Sequence, residues 1–182
     1  MAERLVGRPA PDFTMETVDG PGKEFGKVSL SDYRGKWLVF FFYPLDFTFV
    51  CPSELSALSD AAERFRKLDA DLLGISIDSV HSHRAWIHAP KSAGGLGKLN
   101  FPLASDITKQ VSRDYGVLIE EEGIALRGLF IVDPEGELKY QAVSHNDVGH
   151  SVQETLRVIQ ALQSRGLCPI NGKPDETNDA AD

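Results

Sequence analysis

The sequence predicts an α/β sandwich, a mixed sheet flanked by helices, and three observations carry that prediction. Trp37 to Tyr43 is a near-continuous apolar run, the composition of a central strand covered on both faces. Helical spacing begins soon after it, near Cys51, and strand character returns at Asp71. The last third reads as a strand hairpin followed by a well-signalled helix.

Taken in order, residues 28 to 34 read as a short strand and turn. The strand Trp37 to Tyr43 stops at Pro44. Leu55, Leu58, Ala61 and Phe65 then recur on one helical face. Asp71 to Asp78 is a strand through Leu72, Leu73, Ile75 and Ile77, and His83 to Pro90 is a helix. Lys91 to Lys98 is a loop, because Gly94, Gly95 and Gly97 disfavour a regular element. Leu126 to Val132 is a strand ended by Asp133-Pro134-Glu135-Gly136, and Glu137 to Val143 pairs with it as a hairpin. Ser151 and Glu154 form a capping box for a final helix with Val152, Leu156, Ile159 and Leu162 on its apolar face. Arg165-Gly166 closes that helix. This order of elements fits a thioredoxin-like arrangement, but without the Cys-x-x-Cys pair of a dithiol oxidoreductase.

The 182 residues, 42% hydrophobic, suffice for one core without disulfide staples. A domain over residues 1–165 is expected, with a tail over 166–182 whose acidic end beyond Pro174 is expected to be disordered. The net charge of −8 argues against nucleic-acid or anionic-membrane partners. No apolar run approaches the ~18 residues needed to cross a bilayer. The start of the chain lacks the apolar core of a secretory signal, so a soluble, cytoplasmic protein is expected. Two cysteines are too few for a disulfide scaffold and point to catalytic or incidental thiols.

Cys51 is the leading candidate for chemistry. It follows a strand and opens a helix, where unpaired peptide N–H groups and the helix dipole favour an anion. A thiol so placed, with the hydroxyl of Thr48 three residues earlier, has the setting of a nucleophilic thiolate. The plainer reading is a small buried hydrophobe. The five histidines include His81, His83 and His88 close together, but no carboxylate or cysteine completes a closed metal site, and surface or capping roles are expected. No Gly-x-Gly-x-x-Gly or phosphate loop suggests a nucleotide.

Pro44, Thr48 and Cys51 form the pattern Pro-x-x-x-Thr-x-x-Cys, which resembles the signature of peroxiredoxins. The longer string from Phe42 through Glu54 is similar to the typical 2-Cys class, the alkyl hydroperoxide reductase C type. The likeness extends from Gly7-Arg8-Pro9 through Ser82-His83-Arg84-Ala85-Trp86, the Gly94 to Gly97 loop and Arg127 to Asp133, to Leu167-Cys168-Pro169. It implies a thioredoxin-like fold with N-terminal additions and a C-terminal tail. It also implies a thiol-dependent peroxidase for hydrogen peroxide and organic hydroperoxides that needs no bound cofactor.

The resemblance implies a role for each matched residue. Cys51 would attack the peroxide and become a sulfenic acid. Thr48, otherwise an ordinary N-cap, would hold the reacting oxygen in line, and Pro44, otherwise a strand stop, would wall the pocket. Arg127 would bring a permanent cation beside the thiolate, although alone it reads as a strand-edge surface residue. Glu54 would orient Arg127, although a first-turn glutamate is favoured by the dipole anyway. Cys168 would occupy the place of the resolving cysteine and form an intersubunit disulfide with Cys51; in isolation it is an idle tail thiol. Trp86 and Phe49 would pack near the site or a dimer contact.

The resemblance further implies a homodimer, often assembled as a decamer, reduced by thioredoxin or a flavoprotein alkyl hydroperoxide reductase. The chain departs from the family at His150, where Val148-Gly149-His150-Ser151 replaces a Val-Gly-Arg-Ser string. An Arg-Glu-Arg brace would become Arg-Glu-His, with a charge that depends on pH. The sequence also lacks a Tyr-Phe segment after the tail, so a peroxidase robust to overoxidation is expected. The rival readings are a one-cysteine peroxidase resolved by an external thiol, and a holdase chaperone or redox relay of the same assembly.

Overall fold

The computed structural model describes residues 4–48 and 51–164. Nine strands and five α-helices alternate along these residues. They are β1 (Thr14–Val18), β2 (Phe25–Ser29), β3 (Trp37–Phe42), α1 (Cys51–Asp60), α2 (Ala62–Arg66), β4 (Ala70–Ser76), α3 (Val80–His88), β5 (Leu103–Ser105), α4 (Gln110–Asp114), β6 (Leu118–Ile119), β7 (Ile124–Ala125), β8 (Arg127–Val132), β9 (Leu138–Ser144) and α5 (Val152–Gln163). Seven strands form one mixed sheet in the order β2-β1-β5-β4-β3-β8-β9, and β6 pairs with β7 alone. The pairs β3–β4 and β4–β5 are parallel, whereas β3–β8 and β8–β9 are antiparallel. This is the mixed α/β sandwich the sequence predicts.

Burial explains why the Trp37 run is apolar throughout. Leu38 to Tyr43 are all fully buried, and alternate side chains enter two different cores. Val39, Phe41 and Tyr43 pack with Leu55, Leu58, Phe65, Trp86 and Ile159, beneath the helices. Leu38, Phe40 and Phe42 pack on the other face with Phe13, Tyr115 and Phe130. Phe40 stacks on Phe130 at 5.2 Å and meets Tyr115 edge-on at 5.0 Å.

Several boundaries differ from the sequence reading for local reasons. The helix begun at Cys51 is interrupted after Asp60, and its apolar spacing carries on through α2 to Phe65. Helix α3 starts at Val80, because Ser79 caps it by accepting a hydrogen bond from the Ser82 N–H. Strands β1 and β5 and helix α4 carry too few periodic residues to be read from the chain. At α5, Ser151 Oγ accepts from the Glu154 N–H, but the Glu154 carboxylate engages Arg157 at 2.7 Å through two nitrogens. Only the serine half of the expected capping box therefore forms. The Arg165-Gly166 stop, the 166–182 tail and Phe49 lie outside the described residues.

The glycine loop is folded against α3. The Trp86 indole N–H donates to Gly94 O at 2.9 Å, and the Leu96 N–H donates to Trp86 O at 2.9 Å. A Cβ on Gly95 would collide with the Ala89 carbonyl, so only glycine fits there. No helix among the described residues is long and apolar enough to cross a membrane.

Candidate active site

Two neighbouring strands converge on the start of one helix to build the site. Strand β3 delivers the segment from Pro44 to Thr48, which leads to Cys51 at the first position of α1. Its antiparallel neighbour β8 begins with Arg127 at the same end of the sheet. Cys51 is fully buried, and Arg127, also buried, points its guanidinium inward. Two donors reach the sulfur: Thr48 Oγ1 donates to Sγ at 2.8 Å, and Arg127 Nη2 donates at 3.2 Å. Both are donors from which a thiolate sulfur can accept.

The Thr48 hydroxyl has one hydrogen and two acceptors in reach, Cys51 Sγ and Leu45 O at 3.1 Å. It can give that hydrogen to a thiolate, or to Leu45 when another group occupies its lone pairs. Pro44 is buried directly after β3, where its ring costs no sheet hydrogen bond.

Arg127 is itself braced. Its Nη1 donates to Glu54 Oε2, and its Nε donates to the carbonyl of Asn146 at 2.7 Å. Glu54 lies one turn into α1, so its carboxylate shares a helix face with the thiol end of the site. The other Glu54 oxygen, Oε1, accepts from the His150 backbone N–H at 2.8 Å and contacts His150 Nδ1 at 3.0 Å. His150 Nε2 is 3.2 Å from Ala142 O. Burial pushes the Glu54 carboxyl up, but the hydrogen bonds from His150 and the Arg127 charge outweigh it and hold the group below its ordinary value. The Arg127–Glu54–His150 arrangement is thus assembled, with the imidazole where the family resemblance implies a second arginine.

Thr48, Cys51, Glu54 and Arg127 therefore come together, and Pro44 is buried on the segment that carries Thr48; Cys168 lies outside the described residues. Sequence reasoning missed a second polar cluster behind the Pro44–Thr48 turn. His83, expected at a surface or cap, is fully buried and meets Asp46 at 2.9 Å. The missed signal is spacing, because His83 stands three residues from both Val80 and Trp86, on the buried face of α3.

Comparison with known proteins shows the family. Residues 6–141 match the AhpC/TSA family. The Bacillus subtilis protein YkuU, itself only provisionally designated a peroxiredoxin, is 59% identical over 178 residues, covering 97% of this chain and 98% of its own. Peroxiredoxin-2 of Rattus norvegicus is 55% identical over 174 residues, covering 93% of this chain and 86% of its own. The reduced 2-Cys peroxiredoxin of Plasmodium vivax superposes with a TM-score of 0.93 at 39% identity, covering 96% of this chain and 92% of that one. A buried thiol between a threonine hydroxyl and a guanidinium, on this fold and with these relatives, places the chain in the AhpC/TSA family, among the peroxiredoxins. Its activity is that of a thiol-dependent peroxidase.

Proposed function

We propose that Cys51 is the thiol that reduces the peroxide and that Cys168 of a partner subunit resolves it. The observation that carries the reading is the pair of donors on Cys51 Sγ, Thr48 Oγ1 at 2.8 Å and Arg127 Nη2 at 3.2 Å. The thiolate attacks the nearer peroxide oxygen, the O–O bond breaks, and the departing oxygen leaves with the bond pair. With a proton it becomes water from hydrogen peroxide, or an alcohol from an organic hydroperoxide. Cys51 is left as a sulfenic acid. Thr48 and Arg127 hold the attacking and departing atoms in line and stabilise the charge that develops on oxygen. Pro44 walls the pocket, and Glu54 keeps the guanidinium aimed at it.

The Cys168 thiol then attacks the Cys51 sulfenic sulfur, releasing water and forming an intersubunit disulfide. A dithiol donor reduces that disulfide, either thioredoxin or a flavoprotein alkyl hydroperoxide reductase. The working assembly is a homodimer, gathered into a decamer, in the cytoplasm. Buried Cys51 can reach another subunit's thiol only if the first turn of α1 opens, because a disulfide requires Cα atoms within ~7 Å.

A non-reducing gel after about one equivalent of peroxide tests both thiols. A reducible dimer band is expected in wild type and in neither Cys51→Ser nor Cys168→Ser. Cys51 consumed without a dimer band would demote Cys168 and favour an external resolving thiol. An unreacted Cys51 would end the reading altogether.

A further inference from the structure

The turn that carries Thr48 is gripped from behind by buried charged and polar groups that the peroxide chemistry leaves unused. The Asp46 carboxylate accepts from the Tyr43 hydroxyl at 2.9 Å and from Ser82 Oγ at 2.8 Å. His83 Nδ1 lies 3.1 and 2.9 Å from its two oxygens. His83 Nε2 faces the carbonyl of Ala104 at 3.1 Å, which can only accept. A hydrogen on Nε2 satisfies that carbonyl, while Nδ1 meets Asp46 directly. The Asp46 N–H is also held, donating to Asp78 Oδ2 at 2.9 Å, and Ser76 Oγ donates to the same oxygen at 2.6 Å. Burial, and then the Asp46 charge, push the Tyr43 phenol well above its ordinary value, so it stays a donor.

So many restraints on one buried turn residue are explained by the next residue. Phe47 adopts φ +58°, a left-handed conformation that is strained for a residue with a side chain. Its half-exposed ring leans on Trp86 at 5.9 Å, which does not by itself fix the backbone. Thr48 follows directly, and its hydroxyl must choose between Cys51 Sγ and Leu45 O, the carbonyl joined to the clamped Asp46 nitrogen. Release of Asp46 would free the kink and the Leu45 carbonyl together.

We propose that Asp46, clamped by His83, Tyr43 and Ser82, is a positioning residue of the peroxidase that sets how Thr48 Oγ1 meets Cys51 Sγ. The proposal rests on Cys51 as the peroxide-reacting thiol. A displacement of Thr48 on the order of 1 Å is enough to cost up to ~100-fold in rate.

The test is the second-order rate of the full-length protein with hydrogen peroxide, beside its rate of Cys51 alkylation by iodoacetamide. Wild type, His83→Gln, Tyr43→Phe, Thr48→Val and the two double variants with Thr48→Val are compared. His83→Gln is expected to slow the peroxide reaction about tenfold or more while alkylation stays within about twofold. In the Thr48→Val background the same change is expected to have no further effect, because the two act as one unit. Equal loss in both rates, or additive losses in the double variant, would overturn the proposal and leave the cluster a packing feature. If His83→Gln does not fold, Tyr43→Phe, which removes one hydroxyl, decides by the same cycle. A wild type that fails to react with peroxide at Cys51 would instead sink the reading of the site before any variant is compared.

Discussion

At the scale of single residues, the site is a competition for hydrogens around one sulfur. In the proposed reaction Thr48 acts through its hydroxyl and its position, so Thr48→Ser should retain most of the peroxide rate. Thr48→Val should lose about 100-fold or more, read as the initial rate of peroxide consumption. Equal rates in the two variants would remove the hydroxyl from the chemistry. His150 sets a different term. In this chain the imidazole faces the Glu54 carboxylate, which also holds Arg127, and the carbonyl of Ala142. His150→Ala removes the side-chain contact to Glu54 but keeps the backbone one, and should slow the peroxide reaction through a loosened Arg127. An unchanged rate would show that the imidazole does not help to hold the brace.

At the scale of elements, helix ends determine where side chains stand. Cys51 is placed by the start of α1, and His150 by the residues just before α5. The N-cap of α5 offers a test that separates the sequence expectation from the structure. Ser151→Ala should cost about 1 kcal/mol in urea unfolding, because the Glu154 N–H loses its acceptor. Glu154→Ala should cost about 0.5 kcal/mol or less, since its carboxylate forms only an exposed pair with Arg157. Equal costs would restore the full capping box. The Ser151–Glu154 spacing was legible in the chain, but the nearby arginine that captured the carboxylate was a matter of side-chain geometry.

At the scale of the whole molecule, buried charge ties the site to the stability of the fold. The Glu54 carboxyl is held below its ordinary value of 4.5 in the folded chain. Its contribution is therefore complete above that value and lost as the pH falls through the lower folded value. Glu54→Gln leaves the buried Arg127 without its carboxylate and should destabilise the protein at pH 7 by about 3–5 kcal/mol. The gap to wild type should close as the pH drops below 4.5, measured by urea unfolding at a series of pH values. A gap that stays constant into acid would mean that Glu54 acts through packing and not through its charge. The sheet order matters here, since β3 beside β8 is what brings an arginine 76 positions along the chain to the thiol.

The sequence by itself determined the class of fold and singled out the thiol proposed as the nucleophile. An apolar run of strand length stopped by a proline reads as a central strand, and the Pro44–Thr48–Cys51 spacing is local, so both can be read without coordinates. Leu55, Leu58 and Phe65 declared their buried face by periodicity for the same reason. Tertiary structure alone decided which charges meet. Arg127 as a cation on the sulfur, His150 on Glu54, and His83 buried against Asp46 are contacts between distant segments. Such pairs depend on strand order and on which face of a helix turns inward, and a polar residue gives no sign of its partner until both are packed.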